Sequence, residues 1–405
     1  TGSIMSFCFG IDELLDSASQ LSYLKSKRVG LVAHPASITS TQKHTLDALI
    51  AKGLKPDCVF GPQHGMRGEK QDNMIETDDY FDPVHQIQVI SLYGEHRRPT
   101  AEMLEPLDVI VFDLQDIGCR IYTYIATMMY FADACNEHGV ELWILDRPNP
   151  AGRPLDGLVL ESGHESFVGS AELPTRHGLT MGELCNWYCE NKAPGCNRTI
   201  VEMTGYTPDQ LPGFGWPTNE RAWVNPSPNA ASLNMARCFP GTVLLEGTTL
   251  SEGRGTTIPL EVIGAPDFPA IEVLELLRQQ RPEWLAGVYI RPCYFEPTFH
   301  KHVGQMCHGL QIHTDFSDYG HGEFLPFRLI AGLLKSLRLL VPDYPLWRDH
   351  DYEYELSRRP IDVINGGYYL REWVDDMDAS FSQLDNLLVQ QLARWNEERK
   401  PFLLY

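Results

Sequence analysis

Three consecutive stretches decide the fold: Asp108-Val109-Ile110-Val111-Phe112-Asp113-Leu114, the run Thr123 to His138, and Glu141-Leu142-Trp143-Ile144-Leu145. The first and third are short, apolar and rich in β-branched or aromatic residues, the pattern of strands buried on both faces. The middle run spaces Ile125, Met128, Met129 and Ala132 at helical intervals and stops at Gly139. Strand, helix, strand at this spacing predicts a parallel βαβ unit. Working toward the N-terminus, Lys27 to Ala33, Asp57 to Phe60 and Gln88 to Leu92 read as further strands, with a helix over Thr41 to Lys52. The expected fold class is α/β, with a mostly parallel sheet.

Beyond residue 228 the pattern is mixed. Strands are expected at Thr242 to Leu245, Pro259 to Ile263, Val288 to Phe295 and Gly309 to Thr314. Helices are expected at Ala270 to Gln280, Pro326 to Leu339 and Gln383 to Glu397. The turn-rich segment Trp223 to Asn229 separates the two patterns. The expected division is therefore 5–228 for an α/β domain and 229–405 for a mixed α+β domain.

With 405 residues, 43% of them hydrophobic and 21% charged, the chain can bury two cores. Its formal charge of −21 argues against nucleic acid as a partner, and makes local arginines a requirement for any anionic substrate. No apolar run is long enough to span a bilayer. Ten scattered cysteines lack a C-x-x-C pair. With no signal-peptide pattern at the start, they lead to the expectation of a reducing, cytoplasmic location, or a periplasmic or secreted one if a leader has been removed.

In an open parallel sheet, ligands bind beyond the carboxyl ends of the strands. Those ends are polar here: His34, then Gln63-His64-Gly65-Met66-Arg67, then Tyr93-Gly94-Glu95, then Gln115-Asp116 with Arg120, then Asp146-Arg147-Pro148-Asn149. Neither G-x-G-x-x-G, nor a phosphate loop, nor G-x-S-x-G is present. Carboxylates, amides, arginines and aromatics remain, an inventory that suits sugars and the paired carboxyls of glycosidases.

Glu95 is the expected general acid, on a tight turn beside Tyr93. Its alternative is a solvated loop glutamate paired with Arg97 or Arg98. Glu252 and Arg254, in the glycine-rich stretch Glu246 to Thr257, face the same cleft in one reading and form an ordinary ion pair in the other. Tyr124 is a candidate for stacking on a sugar. His34, His64, Asp113, Asp116, His300, His302 and His308 lack the spacing of a metal site, and no metal or cofactor is expected.

The long motifs Gly61 to Gly68, Ser91 to Thr100, Phe112 to Tyr124, Leu145 to Pro150, Arg176-His177-Gly178, Pro226 to Asn229 and Leu245 to Thr257 resemble, in order, those of the exo-β-N-acetylmuramidase (NamZ) family. The resemblance implies a Rossmann-like domain, a smaller C-terminal domain and an active site between them. It implies release of terminal N-acetylmuramic acid from the non-reducing end of peptidoglycan fragments. It places the family's tyrosine-glycine-glutamate on Glu95, with Glu252 or Asp116 as the second catalytic group unless the substrate's acetamido group serves. Arg67, Arg120 and Arg254 become candidates for the lactyl carboxylate. Gln63, His64, Tyr93, Gln115, Tyr124, Asn149, Arg176, His177 and Asn229 complete the expected sugar-binding set. The resemblance also implies a glutamate where Gln63 stands and an asparagine where His34 stands. Glutamine cannot transfer a proton, so a non-catalytic cell-wall-sugar binder is the alternative, followed by a metal-dependent ester or amide hydrolase.

Overall fold

The computed structural model describes residues 6–66, 76 and 78–405. Its strands in the first half are Val29–Ala33 (β1), Cys58–Gly61 (β2), Tyr80–Phe81 (β3), Gln88–Ser91 (β4), Val109–Asp113 (β5), Glu141–Leu145 (β6), Asp156–Val159 (β7), Pro174–Arg176 (β8) and Arg198–Val201 (β9). Seven of them form one sheet in the order β3-β4-β2-β1-β5-β6-β9. Every pairing in it is parallel except β3 with β4. β7 and β8 pair separately as an antiparallel ribbon.

Alternation along β5 explains why its whole run is apolar. Val109 and Val111 join one core with Phe9, Leu14 and Leu49, under the N-terminal helices. Ile110 and Phe112 join another with Met128 and Phe131 of helix Tyr124–His138 and Leu184 of helix Met181–Lys192. Successive strand side chains point to opposite faces, so a sheet covered on both sides needs apolar residues at every position.

The second half holds Val262–Ala265 (β10), Tyr289–Phe295 (β11) and Cys307–His313 (β12), an antiparallel sheet in the order β10-β12-β11. Helices Leu233–Thr242, Ala270–Gln280 and Pro326–Leu340 supply its core. The expected strand at Thr242 to Leu245 is instead a helix end followed by a 3-10 turn, Val243–Gly247. A short buried apolar run carries no period that distinguishes strand from helix, and Ser232 caps the helix that absorbs it. The ribbon β7–β8 and the helices Met181–Lys192 and Leu233–Thr242 were not anticipated.

The halves interlock. The C-terminal core also takes Ile117, Cys119, Ile121, Leu158 and Val168 from the first half. The chain's end returns to the first half, where the Tyr405 hydroxyl donates to Asp146 at 2.7 Å and the Leu404 N–H to Glu183 at 2.7 Å. Among the described residues no helix is long and apolar enough to cross a membrane.

Candidate active site

The carboxyl rim of the sheet divides into a braced side and an open side. On the braced side, Arg147 chelates Asp113 at 2.6 and 3.0 Å, and Thr45 donates to the same carboxylate. His34 accepts the Gln115 N–H through Nε2, and burial and nearby Arg147 keep its ring neutral. Gln115 spends its amide on the Asp116 and Pro148 carbonyls. Asn149 binds the Leu179 carbonyl and the Ala151 N–H. These groups hold the loops in place, because buried polar atoms must find partners.

Several other expected sugar ligands are committed in the same way. The Arg120 guanidinium donates to four carbonyls, those of Leu158, Leu173, Ile364 and Asn365. It ties the first half to the second, with both terminal nitrogens committed and the residue 2% exposed, away from the pocket lining. Arg176 donates to the Phe324 carbonyl. His177 accepts from the Leu179 N–H, and burial pushes its ring down to about 3. The Tyr124 hydroxyl reaches the Pro226 carbonyl at 2.7 Å with its ring edge-on to His34, so its face is core and not a sugar platform. Arg67 lies outside the described residues.

The open side is a pocket between the halves. Gln63, His64, Tyr122, Thr123 and Ser227 line it from the first half together with Asn229, and Phe239, Glu246, Arg254, Tyr352 and Glu353 from the second. It has about 40 Å³ open to water, room for a few water molecules and far less than a sugar ring. One stretch of its wall is Tyr352 and Glu353, from the acidic, aromatic segment Tyr352-Glu353-Tyr354-Glu355.

Glu353 is the carboxyl at this wall, and 2% exposed. The Tyr93 hydroxyl donates to its Oε2 at 2.5 Å and the Gln63 amide to its Oε1 at 3.1 Å. Thr123 in turn donates to Gln63 Oε1 at 2.6 Å, which turns the amide NH₂ toward the glutamate. Burial pushes the Glu353 carboxyl up to about 7, with Glu246 adding to the rise. A group that holds its proton near neutrality suits general acid chemistry.

Behind it lies a chain of ion pairs. Glu246 accepts from Arg254 and from the Tyr352 hydroxyl. Arg254 also reaches Glu252 at 3.3 Å, and Lys301 reaches Glu252 at 2.8 Å. These cations outweigh burial and hold the Glu252 carboxyl down to about 2. Glu252 is therefore ionised and paired, and it does not line the pocket. Asp116 also lies off the pocket wall. Burial raises its carboxyl to about 7, and its charge is felt by the hydroxyls of Tyr122 and Tyr124.

Glu95 is elsewhere. Its side chain is 90% exposed, 3.8 Å from His96, at the edge of an outer hollow. Among the described residues it has no apolar enclosure around it, so the surroundings expected for the acid are not found at Glu95. Of the expected set, the structure brings Gln63, His64, Tyr93, Asn229 and Arg254 to the pocket or its carboxyl. Glu353 went unnoticed because 290 residues separate it from Gln63. The dense alternation of acids and tyrosines around it was the available signal.

Among the described residues no group of three or more His, Cys, Asp or Glu side chains stands close enough to hold a metal ion. Lys301, between the paired histidines His300 and His302, turns inward to Glu252 and two carbonyls.

Two family models cover the chain: the N-terminal part of exo-β-N-acetylmuramidase NamZ matches residues 29–234, and the C-terminal part matches 237–405. The chain is similar to the peptidoglycan β-N-acetylmuramidase NamZ of Bacillus subtilis, at 35% identity across 98% of this chain and 91% of that protein. Two crystal structures of DUF1343 family proteins from Bacteroides fragilis share its fold. One has a TM-score of 0.84 at 27% identity and covers both chains fully; the other has 0.76 at 25% and covers 99% of each. With both halves matched in order and joined at one pocket, the chain belongs to the exo-β-N-acetylmuramidase NamZ family.

Proposed function

We propose that this protein hydrolyses the β-glycosidic bond of a terminal N-acetylmuramic acid at the non-reducing end of peptidoglycan fragments. The observation that carries the reading is the near full-length similarity to a peptidoglycan β-N-acetylmuramidase. The pocket supports it: amide, hydroxyl and aromatic groups suited to a sugar surround a buried carboxyl that holds its proton near neutrality. Because the pocket is smaller than a sugar ring, it must widen at the segment with Tyr352 and Glu353 to hold substrate.

Among the described residues Arg254 is the arginine that lines the pocket, and it already serves Glu246 and Glu252. Recognition of the lactyl carboxylate therefore becomes the discriminating measurement. A chromogenic β-N-acetylmuramic acid glycoside is assayed beside the matching N-acetylglucosamine glycoside. Release from the muramic compound alone is the expected result. Release from neither, with tight binding of free N-acetylmuramic acid, would replace the hydrolase reading with a sugar-binding one.

A further inference from the structure

Glu353 stands at the boundary of two spaces. On one side is the inner pocket. On the other is an outer hollow of about 560 Å³, bordered by Arg97, Arg98, Tyr130, Phe167 and Tyr354. Among the described residues Glu353 alone lines both. In a glycosidase the scissile oxygen lies between the sugar that keeps C1 and the fragment that leaves. A donor carboxyl has to sit at that junction.

The backbone is bent to put it there. Glu353 and Tyr354 are consecutive non-glycine residues with left-handed φ angles of 44° and 71°. Such conformations cost about 1–3 kcal/mol each and persist where surroundings over-determine them. The surroundings are visible: Tyr352 is anchored on Glu246, the Arg97 guanidinium sits 4.0 Å above the Tyr354 ring, and Tyr93 and Gln63 grip the carboxyl. A loop that needed only to cover the core would gain nothing from burying a carboxyl at this strain.

We propose that Glu353 is the acid that protonates the glycosidic oxygen, with the terminal sugar in the inner pocket and the leaving fragment in the outer hollow. The assignment rests on the hydrolase reading above. The C1–O bond breaks with its electron pair passing to the leaving oxygen, which takes the Glu353 proton. Water supplies the hydroxyl that ends on C1, and its remaining proton restores the carboxyl. Gln63 and Tyr93 are positioning residues: they touch the acid and act through it. In the hollow, the half-buried Tyr354 borders the space for a departing sugar, with Arg97 4.0 Å over its ring, while Tyr130 is buried between Arg98 and Phe167 and supports the wall.

The test compares two substrates that differ in their need for protonation. One is an N-acetylmuramic acid–N-acetylglucosamine disaccharide, whose sugar alkoxide leaves only when protonated. The other is the 2,4-dinitrophenyl glycoside, whose phenolate leaves without help. Glu353→Gln in the full chain is expected to lower kcat/KM on the disaccharide by about 10²–10⁴-fold and on the aryl glycoside by less than about tenfold. A folded E353Q that keeps disaccharide activity, or that loses both substrates equally, overturns the assignment. If E353Q does not fold, Tyr93→Phe decides. It deletes a hydrogen bond that favours the ionised carboxylate, so the basic limb of kcat/KM moves to higher pH. An unmoved limb overturns the assignment. A wild-type chain inert on both substrates overturns the hydrolase reading itself, before any variant is made.

Discussion

Glu353 and Glu252 are both almost fully buried, and Arg254 influences both, yet their proton affinities diverge. Glu252 touches Lys301 and Arg254, and its carboxyl is held down to about 2. Glu353 touches a phenol and an amide, and its carboxyl rises to about 7. Burial penalises the charged form in both. A cation in contact offsets that penalty for Glu252, and neutral donors fail to do so for Glu353. One glutamate is thus a structural anion and the other a proton reservoir. The lesson for reading such sites is that contact partners, not depth, separate a brace from an acid.

Breaking the brace should have the largest effect. Lys301→Met leaves Glu252 buried with Arg254 and His300 as its remaining partners, and is expected to cost about 3–5 kcal/mol in denaturant unfolding at pH 7. A loss below about 1 kcal/mol would mean that Arg254 and His300 answer the charge.

The pH dependence of stability sharpens the comparison, because the two glutamates act with opposite sign. Glu353 has a raised folded-state value, so its contribution is full below 4.5 and is lost as pH rises through about 7. Glu252 has a depressed one, so its contribution is present above 4.5 and lost as pH falls toward about 2. Between pH 4.5 and 8 the wild type should therefore lose stability relative to Glu353→Gln. The move from 4.5 to about 7 corresponds to on the order of 3 kcal/mol. A gap that stays constant with pH in parallel unfolding titrations would show that Glu353 is ionised throughout.

A smaller effect tests the orientation of the amide. Thr123→Val removes the hydroxyl that fixes Gln63, and is expected to cost about 1–2 kcal/mol and to raise the pH of the basic limb slightly. Smallest is Arg97→Ala, which uncovers the Tyr354 ring at the solvent edge. Its stability loss should be about 0.5–1 kcal/mol by thermal unfolding, with a higher KM for the disaccharide than for the aryl glycoside.

Much of the architecture was legible in the sequence. The central strands β1 and β5 are continuous apolar runs because both faces of the sheet are covered there, and Gly139, left-handed at φ 67°, ends the long helix where its position implied. Of the expected site, Gln63, His64 and Tyr93 converge because the sheet's carboxyl edge brings their loops together, while Asn229 and Arg254 meet them from beyond the sheet. Arg120, Arg176, Asn149 and His177 carry the same residue chemistry but serve backbone carbonyls and N–H groups. Nothing local in a sequence tells a guanidinium that will meet a ligand from one that will meet four carbonyls.

What the chain's own pattern determined was its class of fold, the polar edge of its sheet and its family, since apolar periodicity and long contiguous motifs are local properties. What the tertiary structure alone decided was which carboxyl is protonatable. Proton affinity is set by desolvation and by neighbours distant in the chain: for Glu353, burial and the charge of Glu246 raise it against the hydrogen bonds of Gln63 and Tyr93, which lie 290 and 260 residues away.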